Sequence, residues 1–127
     1  DHCSSLMELD LSENTQLTTL SCTYGSFEVL NVSANTKLKS LNCMRGQLKT
    51  LDVSKNTELT TLSCDFNGTI ETVFAVAVNS DVANSLKLLI LGSSSSSGTV
   101  TLRNGDEYNS IISDAATTKS WTVEYTD

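Results

Sequence analysis

The stretch Leu38-Lys-Ser-Leu41-Asn-Cys43-Met-Arg-Gly46-Gln-Leu48-Lys-Thr-Leu51-Asp-Val53-Ser-Lys-Asn56-Thr57 decides the fold. It holds two similar halves, Leu-x-x-Leu-x-Cys and Leu-x-x-Leu-Asp-Val, each followed by a turn residue. Within each half, Leu41 and Cys43, or Leu51 and Val53, alternate with polar residues at period two, the pattern of a short strand with one buried face. Outward from this stretch the same text returns every 21 residues, as Leu17-Thr-Thr-Leu20-Ser-Cys22 before it and, unchanged, as Leu59-Thr-Thr-Leu62-Ser-Cys64 after it. Interleaved at the same interval stand Leu9-Asp-Leu-Ser-Glu-Asn-Thr15, Leu30-Asn-Val-Ser-Ala-Asn-Thr36 and Leu51-Asp-Val-Ser-Lys-Asn-Thr57. A unit this short cannot bury its apolar face alone, so identical units must stack.

The turn residues are Gly25, Gly46 and Asn67 after the Cys strands, and Asn14, Asn35 and Asn56 after the Val or Leu strands. Gly and Asn tolerate left-handed backbone most cheaply, which predicts that conformation at these positions. The repeated Asn has a second use: stacked turns bury backbone groups, and a side-chain amide supplies both donor and acceptor, so an asparagine ladder is expected. Stacking also places Cys22, Cys43 and Cys64 in a column about 4.8 Å apart. Side chains in register point the same way, whereas a disulfide needs crossed geometry, so buried free thiols are expected. No Cys pair two to four residues apart exists for zinc. Cys3 precedes Cys22 by 19 residues, which shortens the first turn or places Cys3 outside the column; His2 beside it reads as a chain terminus.

With these residues in view, Leu38-x-x-Leu41-x-Cys43-x-x-Gly46-x-Leu48-x-x-Leu51-Asp-Val53-x-x-Asn56 resembles the irregular "IRREKO" class of bacterial leucine-rich repeats, whose hallmark is two nested half-repeats. The resemblance covers Leu6 to Val78. It implies a curved solenoid of short stacked parallel strands and, in bacteria, an exported or cell-surface protein. The residues themselves, which offer little chemistry and an outward polar row, point to a non-enzymatic module without cofactor that binds a protein or glycan. The chain departs from the class where Gly25 and Gly46 replace Asn, where Phe27 replaces Leu, and in a degraded last rung, Ile70-Glu-Thr-Val73-Phe-Ala75. From Leu51 to Val73 is 22 residues, so the Asp65-Phe-Asn-Gly-Thr69 loop carries one extra.

A single domain over 1–127 is expected, with rungs over 6–78 and a small mixed α/β cap over 79–127, because the last rung would otherwise leave an open edge. Within that cap the patterns predict a helical turn over Ser80–Ser85, a buried strand over Leu86–Leu91, a flexible serine loop over Ser93–Ser97, and a strand over Thr99–Arg103. A tight turn at Asn104-Gly105 follows, then a short helix bearing Tyr108, Ile111, Ile112, Ala115 and Ala116 with Asp106 as N-cap, and a closing strand over Trp121–Tyr125. Trp121 reads as a core residue of this cap.

Chemistry is sparse. The chain has one His and lacks a phosphate-binding glycine loop, a Gly-x-Ser-x-Gly elbow and a His-Glu-x-x-His helix. Asp10, Asn31 and Asp52 form an outward column better read as a solvated ladder than as paired carboxylates, and no loop has calcium-binding spacing. Two glycosylation sequons, at Asn31 and Asn67, are discounted. A net charge of −7 disfavours nucleic acid and anionic membrane surfaces, and no apolar run reaches the roughly 20 residues of a membrane-spanning helix. The chain opens at Asp1 with neither Met nor an apolar leader, so any export signal is expected either to have been removed or to lie ahead of where this sequence starts.

The outward strand positions remain as the expected binding surface: Thr19, Ser21 and Thr23 on one rung, Ser40, Asn42 and Met44 on the next, Thr61, Ser63 and Asp65 on the third. They are small and hydroxyl-rich, on a face about 15–20 Å long, and this row lacks the Trp, Tyr and Arg anchors that dominate most interfaces. A structural spacer is the competing reading; ligand and oligomeric state are not encoded legibly.

Overall fold

From Leu17 to Asn56 each half-repeat becomes a strand of three residues, because only its central Leu and the residue two positions on are driven inward while the flanking residues turn away. In the computed structural model, which describes residues 8–75, 79–103 and 107–126, the Cys halves form β1 (Thr19–Ser21), β3 (Ser40–Asn42) and β5 (Thr61–Ser63). The Val halves form β2 (Val29–Asn31), β4 (Thr50–Asp52) and β6 (Thr72–Ala75). All pairing is parallel and the two kinds never mix: β1-β3-β5 make one sheet, β2-β4-β6 begin the other. The architecture is β-rich and solenoid-like, with the chain crossing between sheets twice per rung.

Register follows the repeat. Leu20 pairs with Leu41 and Leu41 with Leu62, while Leu30 pairs with Leu51. Leu51 then pairs with Val73, which sets the expected 22-residue step. The core between the sheets is built from these columns: Leu30, Leu41, Leu51, Leu62 and Val73 from the strands, Leu38, Leu48, Leu59 and Ile70 from the turns, with Cys22, Cys43, Cys64, Val32 and Val53.

The asparagine ladder is present. Asn35 donates its Nδ2 to the carbonyls of Leu11 (3.1 Å) and Asn14 (2.8 Å) one rung back. Asn56 does the same to Val32 (3.0 Å) and Asn35 (2.9 Å). Each amide therefore serves two turn carbonyls that stacking has removed from water.

Left-handed backbone, however, sits one residue before the expected place in the Cys turns and is absent from the turns at Asn14, Asn35 and Asn56. The positive φ angles in the rungs belong to Tyr24 (60°), Arg45 (57°) and Phe66 (60°), and to none of the Gly or Asn residues named above; Ser120 (59°) shares the conformation after α2. The glycines answer a need for room instead. A Cβ on Gly46 would lie 2.7 Å from Oδ1 of Asn67, and one on Gly25 would overlap the ring of Phe27. Asn67 reaches over Gly46 to donate to Cys43 O (2.9 Å) and its own Cys64 O (2.7 Å), and accepts from Leu48 N (3.2 Å).

Beyond the regular rungs the two sheets part company. The expected strand over Leu86–Leu91 is a helix: α1 runs Ser80–Leu91 and buries Val82, Ala83, Leu86, Leu89 and Ile90. That spacing is helical and starts before the apolar run, so Val82 and Ala83 decide the period. Asn79 caps it, its Oδ1 accepting from Val82 N at 2.9 Å. The helix lies against β5 and takes up that strand's carbonyls through Ser85 Oγ to Leu62 O (2.6 Å) and Asn79 Nδ2 to Thr60 O (3.1 Å).

The second sheet continues, in contrast, through β7 (Thr99–Arg103) and β8 (Thr122–Thr126), again in parallel, to the order β2-β4-β6-β7-β8. Residues after 79 thus extend this sheet rather than lying across its edge. The helix α2 (Asn109–Thr118) connects β7 to β8, packs on α1, and buries Ile112, Ala115 and Ala116. Its N-cap is Tyr108, without a side-chain bond, and not Asp106; Asp106, Asn104-Gly105, His2, Cys3, Leu6 and Val78 lie outside the described residues.

Nor is the serine loop merely flexible. Ser93 is buried and donates Oγ to Ile70 O (2.5 Å), Ser94 binds Gly68 O, and the carbonyl of Ser93 receives Lys119 Nζ (2.9 Å). Trp121 is a core residue at 5% exposure, packed where Gly98 leaves space.

Candidate functional site

Strand alternation and in-register pairing of β1, β3 and β5 set Thr19, Ser21, Ser40, Asn42, Thr61 and Ser63 on the outward face of the first sheet. Ladder bonds continue past the strand ends: Cys22 N to Asn42 O (2.8 Å), Cys43 N to Ser63 O (2.8 Å), Tyr24 N to Met44 O (3.1 Å) and Arg45 N to Asp65 O (3.0 Å). Thr23, Met44 and Asp65, all half-buried, are therefore aligned as a further row of the same face. All nine residues singled out from the sequence come together.

Sequence reasoning missed the next row. Tyr24, Arg45 and Phe66 recur at the 21-residue interval, directly before Gly25, Gly46 and Asn67. The Arg45 guanidinium carbon lies 5.6 Å from the Tyr24 ring centre and 5.1 Å from that of Phe66, a cation–π contact with both rings. Phe66 is 68% exposed, the highest value among the large apolar residues. The expectation of a face without Tyr or Arg anchors is thus corrected at its border. A bulky residue in the left-handed region costs about 1–2 kcal/mol, and three consecutive rungs bear that cost here. The signal was available, since a period that aligns Gly25, Gly46 and Asn67 also aligns the residues before them.

Behind the face, Cys22, Cys43 and Cys64 form a buried column, with Cys22 Sγ donating to Asn42 O at 3.6 Å. Burial, reinforced by the neighbouring Cys and Asp65, pushes the Cys43 and Cys64 thiols well above their ordinary pKa, so both are neutral and act as small apolar side chains. Among the described residues no group of three His, Cys, Asp or Glu is placed to hold a metal ion.

On the second sheet, Asp10, Asn31 and Asp52 are taken up by their own turns. Asp10 Oδ1 accepts from Ser12 N (2.9 Å), Asn31 Oδ1 from Ser33 N (3.1 Å) and Oγ (2.7 Å), and Asp52 Oδ1 from Ser54 N (2.9 Å) and Oγ (2.6 Å). The backbone bond from Ser12, with help from its hydroxyl, holds the Asp10 carboxyl below the usual carboxylate range. All three side chains stabilise their turns. Of the two sequons, Asn67 is 1% exposed with its amide committed to backbone, so no glycan fits there.

No protein-family model and no curated protein matches the chain. Among solved structures it is similar to the functional domain of InlJ from Listeria monocytogenes, described as including a cysteine ladder, at 27% identity and a TM-score of 0.46, over 76% of this chain and 22% of that one. The chain spans about a fifth of that protein's length. No helix among the described residues is long and apolar enough to cross a membrane.

Proposed function

We propose that this chain is a non-enzymatic leucine-rich-repeat module of the irregular 21-residue class, belonging to an exported or cell-surface bacterial protein, and that it binds a protein partner. The docking face comprises Thr19, Ser21, Thr23, Ser40, Asn42, Met44, Thr61, Ser63 and Asp65, bordered by Tyr24, Arg45 and Phe66, with the rungs over 6–78 closed by residues 79–127. The observation that carries this reading is that the polar rows end flush against an exposed aromatic and guanidinium column. Aromatic and Arg side chains supply most of the energy in known interfaces, and small polar neighbours let a partner approach without obstruction.

The test places two large charges on the face, Asn42→Glu with Ser63→Glu, and presents wild type and variant to a panel of extracellular and surface proteins. A partner retained by wild type and weakened at least about tenfold in the variant, with unchanged circular dichroism, supports the reading. Equal retention by both sinks it. A structural spacer is the second reading, favoured by the shortness of a face only three strands wide, below the roughly 800 Å² per side of a standard interface.

A further inference from the structure

Arg45 differs from the chain's other paired cations. Lys49 reaches Glu28 at 2.7 Å and Lys39 lies 3.9 Å from Glu58, whereas Arg45 makes no ion pair among the described residues, although Asp65 follows one rung on in the adjoining row. Its guanidinium lies within cation–π distance of the Tyr24 and Phe66 rings on the rungs to either side. Attraction to a ring face engages the positive charge and does not use up the five N–H donors as hydrogen bonds to acceptors. The side chain is therefore ordered before any ligand arrives, and the entropy of fixing it need not be lost on binding.

We propose that Arg45 is the receptor for a single carboxylate of the protein partner, an Asp or Glu side chain held by the guanidinium fork, with an apolar neighbour of that residue resting on Phe66 and Met44. The proposal rests on the protein-docking reading above. A planar fork matches a carboxylate or a phosphate in two parallel hydrogen bonds. The charge setting favours the carboxylate: with a net charge of −7 and Asp65 in the next row, a multiply charged anion is repelled more strongly than one carboxylate in an otherwise neutral segment. The exposed ring of Phe66 supplies apolar contact that an inorganic anion would not use.

The test titrates isotope-labelled full chain with N-acetyl-Leu-Glu-Leu-amide, its Gln counterpart and inorganic phosphate, following backbone amide signals. The Glu peptide is expected to shift Tyr24, Arg45 and Phe66 and to bind at least about fivefold more tightly than the Gln peptide. Arg45→Gln is expected to erase that preference and Arg45→Lys to reduce it, with signals elsewhere unmoved. Absence of shifts at these residues, a preference that survives Arg45→Gln, or phosphate binding more tightly than the Glu peptide each overturns the proposal. The two readings fail separately. Equal binding of both peptides on the face removes the carboxylate and leaves the docking surface, whereas a Glu preference untouched by Asn42→Glu with Ser63→Glu keeps Arg45 and removes the sheet face.

Discussion

The two sheets start as copies of one another and finish differently. Among the described residues the first has three strands and is closed by α1, while the second has five and ends in β8. Up to Asn67 both are held to a 21-residue step by side-chain columns that reach from rung to rung: Asn35 and Asn56 in one set of turns, Asn67 over Gly46 in the other, with the Cys column behind. Past that point the second sheet keeps stacking while its steps lengthen to 22, 27 and 23 residues, from Thr50 to Thr72, Thr99 and Thr122. Backbone pairing between short apolar strands is thus enough to continue a sheet. The strict period comes from the polar columns, whose geometry fails if a turn gains or loses a residue.

The most severe way to probe this difference is to remove an amide of the column. Asn56→Ala removes two buried hydrogen bonds, leaving the carbonyls of Val32 and Asn35 with only the backbone N–H groups of Asn35 and Leu38, and empties the space the amide filled; it is expected to cost about 3 kcal/mol in chemical denaturation. A loss under about 1 kcal/mol would mean that the column merely accompanies the period. Next comes Gly46→Ala, which forces a methyl against Asn67 and should cost about 2 kcal/mol. In an Asn67→Ala background that cost should fall by at least half, a coupling read by a double-mutant cycle; additive effects would separate the glycine from the column. The smallest effect is expected from the irregular part: Ser93→Ala removes the hydroxyl that donates to Ile70 O and accepts from Ser95 N, and should cost about 1 kcal/mol. If it matched Asn56→Ala, the contrast between the two regions would collapse.

What the sequence disclosed follows the same division. The repeat made the parallel rungs, the inward Leu and Cys columns, the Asn ladder and the slip at Val73 legible, because each is imposed by a neighbour at fixed separation. The second half offered no such constraint. Leu86–Leu91 alone satisfies strand and helix alike, and only the inclusion of Val82 and Ala83 shows the helical period. Continuation of the second sheet was written in the short texts Thr72-Val, Thr99-Val and Thr122-Val, which echo Thr50-Leu but at unequal intervals that a search for one period passes over. Of the candidate face, the rows on the strands were readable from alternation. Tyr24, Arg45 and Phe66 were hidden by their chemistry, since attention went to the Gly and Asn beside them as natural owners of left-handed backbone.

One consequence concerns length. Because β1 meets β3 and β3 meets β5 in the same register, with the same inward Leu and the same ladder bonds, a rung in the middle encounters surroundings that repeat themselves above and below. A duplication of residues 38–58 would present each copy with neighbours it already fits, adding one strand to either sheet and one more side chain to the stack containing Arg45. Recombination can therefore lengthen or shorten this molecule without redesigning its ends, and the reach of its surface becomes a quantity set by copy number.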